Sequence, residues 1–69
     1  MFIEIADEII NLKQVSLISV KKRNQQNWDV DFFDGNQDRL TRINFKNEAD
    51  ARELYAKVSK LLHPIQLKL

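Results

Sequence analysis

The chain has 69 residues, which is enough for one small domain spanning 1–69 and excludes a second independently folded unit. Hydrophobic residues make up 43% and charged residues 30%, a composition that favours a globular fold over a disordered chain. The absence of cysteine excludes disulfides and thiolate metal sites, and one histidine cannot build a zinc site alone. The net charge of +1 gives no strong overall field, so nucleic-acid or lipid binding must rest on local clusters.

The sequence carries no signal for export or for a membrane span. Residues 1–8 contain acids where a signal peptide needs a basic region followed by a longer apolar run. No apolar run exceeds three residues, far below the ~18 that cross a bilayer. We therefore expect a cytoplasmic protein that does not bind membranes.

The first half of the chain is predicted to form short β-strands. Residues 1–5 alternate between the two sides of a strand, and residues 9–12 indicate a second strand after an acidic turn. A β-rich third segment, 15–23, ends in the polar turn 24–27. Residues 28–33 then alternate strictly between apolar and acidic side chains, which is the clearest strand pattern in the sequence.

The second half begins with a turn and ends with a helix. Residues 34–36 predict a tight reversal, since Gly and Asn tolerate positive φ, and 40–45 form the second strand of the hairpin. Asn47 is a suitable N-cap for a helix over about 48–62, which Pro64 ends. The apolar residues of this helix recur at spacings of three and four: Ala51, Leu54, Tyr55, Val58, Leu61 and Leu62.

These elements predict an α+β fold. It is a four- to five-stranded antiparallel β-meander within residues 1–46, covered on one face by a single C-terminal helix and followed by a tail, 63–69. The side chains expected on the inner face of the sheet are all large and apolar: Ile3, Ile5, Ile18, Val20, Trp28, Val30, Phe32, Ile43 and Phe45.

Two segments carry a resemblance to a known fold. The run Phe32-Phe33-Asp34-Gly35, followed by Ile43-Asn44-Phe45-Lys46-Asn47-Glu48-Ala49-Asp50-Ala51, resembles the closing hairpin and helix of pleckstrin-homology-like domains. With the early segment Glu8-Ile9-Ile10-Asn11-Leu12, the chain is also similar to a group of uncharacterised short bacterial proteins. The resemblance implies a topology alone, because no lipid-headgroup motif maps onto this sequence and a shared fold does not imply a shared function.

The sequence contains no recognisable catalytic or metal-binding constellation. His63 is the one imidazole, and its place at a helix end favours solvation or hydrogen bonding to terminal carbonyls over catalysis. Asp29, Asp31 and Asp34 have the composition of a calcium loop, but the frame of such a loop and its bidentate glutamate are missing. We therefore predict no enzyme activity, no metal, no cofactor and no small-molecule substrate.

The register of the predicted hairpins determines what the outer face of the sheet presents. Pairing Ser19 with Asp31, and Asp31 with Arg42, mixes charges of both signs on a face that should be solvent-exposed. The same register aligns large apolar side chains on this face, and the tail alternates like a strand without a partner. The residues of the candidate protein interface are Phe2, Leu17, Phe33, Leu40, Ile65, Leu67 and Leu69.

A basic cluster supports an alternative function. Lys21, Lys22 and Arg23 lie just across a turn from Trp28. Proteins that bind single-stranded nucleic acid combine cations, which contact the phosphates, with aromatic rings, on which the bases stack. The candidate contacts for nucleic acid are Lys21, Lys22, Arg23, Arg39 and Arg42. These residues have a purely structural interpretation if Trp28 belongs to the core and the three cations of the cluster lie at the end of a hairpin. The sequence thus favours a non-enzymatic protein-interaction module that forms a homo-oligomer, most simply a two-fold dimer, over a nucleic-acid-binding protein.

Overall fold

A computed structural model describes residues 1–65 and residue 67. Five strands are present among them, with one short 3-10 helix and one α-helix. Their bounds are β1, Phe2–Ile5; β2, Glu8–Asn11; the 3-10 helix, Leu12–Gln14; β3, Leu17–Asn24; β4, Asn27–Phe33; β5, Arg39–Phe45; and α1, Glu48–Leu62. The α+β class is confirmed, and the predicted helix has the observed bounds. The prediction for Leu69 concerns a residue outside the described part of the chain.

The five strands form two antiparallel sheets. β3, β4 and β5 form a three-stranded meander with β4 in the centre, whereas β1 and β2 form a separate hairpin. The predicted registers of the meander are confirmed: Asp31 of β4 lies opposite Ser19 on one side and Arg42 on the other. A bulge interrupts the pairing between β4 and β5 after Phe32, because Phe33 lies opposite Arg39 rather than Leu40.

One face of the meander is covered by α1 and by the inner side of the hairpin. Val30 and Phe32 of the central strand are fully buried there, against Ala51 and Val58 of the helix. Ile10 and Leu12 complete the buried cluster from the hairpin and the 3-10 helix. All the side chains predicted for the inner face belong to this core or pack against it: Ile3, Ile5, Ile18, Val20, Trp28, Val30, Phe32, Ile43 and Phe45.

Both ends of α1 follow the rules of helix capping. The Asn47 side chain accepts a hydrogen bond from the backbone N–H of Asp50, at 2.9 Å, as expected of an N-cap. At the other end His63 adopts a left-handed conformation, with φ of 50°, and its N–H donates to the Ser59 carbonyl. His63 therefore terminates the helix through its backbone.

The apolar stripe predicted for α1 is only partly buried. Ala51 and Val58 are buried and Leu54 is half-buried, but three members of the stripe remain exposed: Tyr55, Leu61 and Leu62. The three-stranded sheet is narrower than the predicted four- to five-stranded one, so it covers less of the helix. The C-terminal half of α1 consequently presents apolar surface to solvent.

The turn between β4 and β5 is built differently from the prediction. Positive φ falls on Gln37 rather than on Gly35 or Asn36. The Asp34 carboxylate accepts hydrogen bonds from the backbone N–H groups of Asn36 and Asp38, which fixes the loop. A side-chain carboxylate, and not glycine geometry, therefore determines the reversal.

Candidate functional site

The outer face of the meander holds two buried carboxylates. Asp29 and Asp31 are 3% and 2% exposed, which corrects the expectation that they face solvent. Arg23 donates from Nε and Nη2 to the two oxygens of Asp29, at 2.8 and 3.0 Å. Arg42 forms the same bidentate interaction with Asp31, donating from Nε and Nη2 at 2.7 and 3.3 Å. The side-chain amide of Asn44 donates a further hydrogen bond to Asp29, at 2.9 Å. The arginine side chains therefore cover the shorter carboxylates of the central strand.

The electrostatics of this cluster favour the charged forms. Burial by itself raises the pKa of Asp29, but hydrogen bonds from Asn44 and Arg23, with the charges of Arg23 and Arg42, outweigh burial. The net effect holds the pKa of Asp29 below its usual value. The hydrogen bond to Asp31 raises the pKa of Arg42 above its already high value. The cluster is thus a set of compensated charges that joins three strands.

Three of the five candidate nucleic-acid contacts already have partners within the chain. Arg23 and Arg42 are bound to the buried carboxylates, and the Lys22 ammonium lies 5.9 Å from the centre of the Trp28 ring. The guanidinium of Arg52 approaches the same ring at 5.9 Å, and Trp28 packs against the core. Lys21 and Arg39 are the two candidate contacts with neither an ion pair nor a cation–π contact in the described part of the chain.

The apolar residues predicted for the interface lie in separate places. Leu17 and Phe33 are direct partners in the β3–β4 ladder, so they form one patch, in which Leu17 is exposed and Phe33 is half-buried. Leu40 is exposed in β5 at the bulge, where it has no residue opposite in β4. Phe2 lies elsewhere, on the side of the hairpin that faces away from the core. The structure therefore does not bring the four residues into a single stripe.

Ile9 is an exposed apolar residue that was not among the residues predicted for the interface. Ile9 and Phe2 are 70% and 69% exposed, and both point away from the buried side of the hairpin. The exposure of one of the two isoleucines could have been predicted, because Ile9 and Ile10 are consecutive in a strand and consecutive side chains of a strand point to opposite faces. Only Ile10 could enter the core.

A shallow apolar groove lies between the start of β3 and the end of α1. Its volume is about 170 Å³, and Pro64 forms part of its wall. The residues lining it are Val15, Ser16, Leu17, Ile18, Tyr55, Ser59, Leu62 and Pro64. Leu17 also lines a second depression with Phe33 on the other side of the strand. Leu17, at the start of β3, therefore lies between the two depressions.

The edge of β3 beside this groove has no strand partner within residues 1–65 and 67. Its N-terminal half, 17–20, carries no charge, whereas its C-terminal half carries Lys21, Lys22 and Arg23. Charged side chains on an edge strand prevent further strand pairing, so only the neutral half is open to it. We define the β3-edge surface as residues 17–20 together with the groove.

The segment after α1 leaves from the wall of the groove. Ile65 and Leu67 are 88% and 81% exposed and are not part of a strand. The tail therefore presents two predicted interface residues to solvent. The spacing of two residues between Ile65 and Leu67 is that of one face of a strand.

Comparison of the chain with protein-family models, with curated proteins and with solved structures found no significant match. The resemblance to pleckstrin-homology-like domains accordingly stays a prediction from the sequence. The α-helix in the described part of the chain is too short and too polar to cross a membrane.

Proposed function

We propose that the chain is a non-enzymatic protein-interaction module that associates with a second copy of itself through the β3-edge surface. The observation that carries this proposal is the combination of an unpaired, uncharged strand edge with an apolar groove beside it. Such an edge presents unpaired backbone N–H and C=O groups, which a further strand satisfies.

The size of the domain supports association. A chain of this length buries a small core and gains roughly 3 to 5 kcal/mol from it, so exposed apolar surface costs a large part of its stability. Tyr55, Leu62 and Leu17 are exposed together along the groove. Contiguous apolar surface of this kind is typical of a partner-binding site, whereas single exposed residues are ordinary.

The oligomeric state tests the proposal directly. We expect sedimentation equilibrium from micromolar to hundreds of micromolar protein to give a mass that rises to twice that of the chain. Leu17→Ser should shift the monomer–dimer midpoint at least tenfold to higher concentration, because it places a hydroxyl in the groove. Ile9→Ser, an equally apolar and more exposed position on the hairpin, is the matched control and should leave the midpoint unchanged. A monomer mass throughout would refute the proposal.

Nucleic-acid binding remains the alternative function. Lys21 and Arg39 supply its free cations, but Arg23 and Arg42 are bound to Asp29 and Asp31, which lowers the net positive charge of this face. Anisotropy of a labelled single strand, titrated at low and then at moderate salt, separates the two functions. We expect no saturable, salt-sensitive binding; a clear salt dependence that Lys21→Ala weakens would favour the alternative.

A further inference from the structure

We infer that the second copy binds through its own β3, so that the two edges pair antiparallel around a two-fold axis at Ser19. In this register Ile18 lies opposite Val20 of the second copy, and Leu17 lies opposite its Lys21. This pairing rests on the proposed self-association and identifies the segment and the register through which it occurs. The two three-stranded meanders become one continuous sheet, with both helices on the same face.

The backbone hydrogen bonds at the start of β3 show which side of the strand faces its neighbour. The N–H of Asp34 donates to the Asp38 carbonyl, at 2.9 Å, whereas the Phe33 carbonyl accepts from the N–H of Ser16, at 2.8 Å. The backbone of Phe33 is therefore directed towards β3. Its ladder partner Leu17 is directed towards β4 in return.

Ile18 and Val20 direct their N–H and C=O groups away from β4, because successive residues of a strand alternate in direction. A two-fold axis at Ser19 places each Ile18 opposite the second copy's Val20, and the two residues exchange both backbone hydrogen bonds. An axis at Ile18 would instead need the N–H of Ser16, which already donates to Phe33. The backbone therefore favours the axis at Ser19.

The charges of β3 exclude a shift of the axis towards its cationic end. With the axis at Val20, the Lys21 residues of the two copies would be diagonal neighbours, and like charges on neighbouring strands are destabilising. With the axis at Ser19 they are about 13 Å apart along the strands, at ~3.3 Å per residue. This distance exceeds the screening length of about 8 Å in physiological salt. The uncharged half of β3 therefore pairs with itself.

Lys21 gains a complementary charge in the same register. It lies on the outer face of the sheet, opposite Leu17 of the second copy, and Leu17 borders the depression that contains Asp34. In the described part of the chain, Lys21 has no ion pair and Asp34 accepts its hydrogen bonds at Oδ1. We expect Lys21 of each copy to cover Leu17 with its alkyl chain and to form an ion pair with Asp34 of the other copy.

On the inner face, the pairing extends the apolar groove. Ile18 lines the groove with Tyr55 and Leu62, and Val20 of the second copy lies beside Ile18 on the same face of the sheet. Pro64 stays in the wall of the groove, because the added strand joins the edge of the sheet and does not enter the groove. Apolar contacts thus accompany the backbone hydrogen bonds.

Cysteine variants test the axis directly, since the chain has no cysteine of its own. Residues on the axis face each other at a Cα separation of about 4.5 Å, which a disulfide can span. We expect mild oxidation to link Ser19→Cys chains into covalent dimers at least fivefold faster than Ile9→Cys chains. Leu17→Cys should link slowly to itself but rapidly to Lys21→Cys when the two variants are mixed.

Sedimentation of the wild-type chain separates a failure of this pairing from a failure of the proposed function. If the wild-type chain dimerises but Ser19→Cys links no faster than Ile9→Cys, the pairing of β3 with β3 is wrong while self-association stands. Linking of Leu17→Cys to itself as fast as to Lys21→Cys would overturn the register. If the wild-type chain is monomeric throughout, the proposed function fails and the pairing fails with it.

A double-mutant cycle tests the expected ion pair. We expect Lys21→Met and Asp34→Asn each to raise the dissociation constant of the dimer at least threefold, and the double variant to bind no more weakly than the weaker single one. Asparagine retains an oxygen that can accept the hydrogen bonds of the loop. Arg39→Met, which removes a cation of β5, is the control and should leave the constant unchanged. Additive losses in the double variant would overturn the register.

Discussion

At the scale of single residues, the notable feature is that the most buried charges lie on the sheet face opposite the helix. Asp29 and Asp31 are desolvated by the arginines that neutralise them. Among the residues that the structure describes, every buried polar atom of a side chain has a hydrogen-bond partner. Buried ion pairs add little net stability, but removing one partner leaves an uncompensated charge. Arg42 is the critical member, because it approaches both carboxylates, at 2.7 and 3.5 Å.

Replacing Arg42 should therefore destabilise the domain. We expect Arg42→Ala to lower the free energy of unfolding by clearly more than an ordinary surface substitution does, because it removes a partner of two buried carboxylates, although water screens the partly exposed guanidinium. Arg39→Ala, in the same strand but without an ion pair in the described residues, should change it by less than about 0.5 kcal/mol. Urea titration followed by Trp28 fluorescence measures both. Equal effects of the two variants would show that the cluster is not structural.

The lowered pKa of Asp29 predicts a specific loss of stability in acid. The folded-state pKa lies below the unfolded value of about 3.9, so the stabilisation is complete above that pH. It is lost as the pH falls through the lower, folded-state pKa. Asp29→Asn should therefore be less stable at neutral pH and decline less steeply below pH ~4 than wild type, in urea midpoints measured across that range. Asp38→Asn, an exposed control, should keep the wild-type slope; an unchanged slope in Asp29→Asn would contradict the prediction.

At the scale of the elements, the end of α1 is strained. A non-glycine residue in the left-handed region costs about 1 kcal/mol or more, and His63 has φ of 50° there. We expect His63→Gly to raise the free energy of unfolding by about 0.5 to 1 kcal/mol, measured by thermal or urea denaturation. His63→Ala retains the strain and serves as the control. A destabilised glycine variant would mean that the imidazole itself contributes to stability.

The bounds of β4 and α1 were predictable because periodicity and capping are local properties. Residues 28–33 alternate strictly, and Asn47 followed by an apolar stripe marks the start of the helix, so both elements follow from neighbours in the sequence. The split into two sheets was not predictable, since it depends on where the hairpin packs. For the same reason the sequence overestimated the buried stripe of α1. The conformation of Gln37 also escaped prediction, because Asp34 and not glycine fixes that loop.

At the scale of the whole molecule, the position of each surface depends on which layer its element joins. Phe2 was expected beside Leu17 and Phe33, but the hairpin lies on the inner face of the meander, so Phe2 points elsewhere. The β3-edge surface combines residues from β3, α1 and the segment after it. This surface exists because β3 is an edge strand, and the order of the strands in a sheet depends on contacts between residues that are distant in the sequence. The charge pattern of β3 that leaves half of its edge open was, by contrast, readable in the sequence.

The layered arrangement also predicts that the hairpin and the meander unfold together. Leu12 is buried against Val30, Phe32 and the helix, so Leu12→Ala should cost about 2 to 4 kcal/mol, comparable to the stability expected of a domain this small. Trp28 lies in the meander, and its fluorescence should therefore report the loss although the change is made elsewhere. Ile9→Ala, three residues away on the exposed side of the hairpin, should shift the urea midpoint by an amount equivalent to less than about 0.5 kcal/mol. If Leu12→Ala altered the far-ultraviolet circular dichroism but left the Trp28 transition in place, the hairpin would be an independent unit, and its packing against Val30 and Phe32 would contribute little to the stability of the meander.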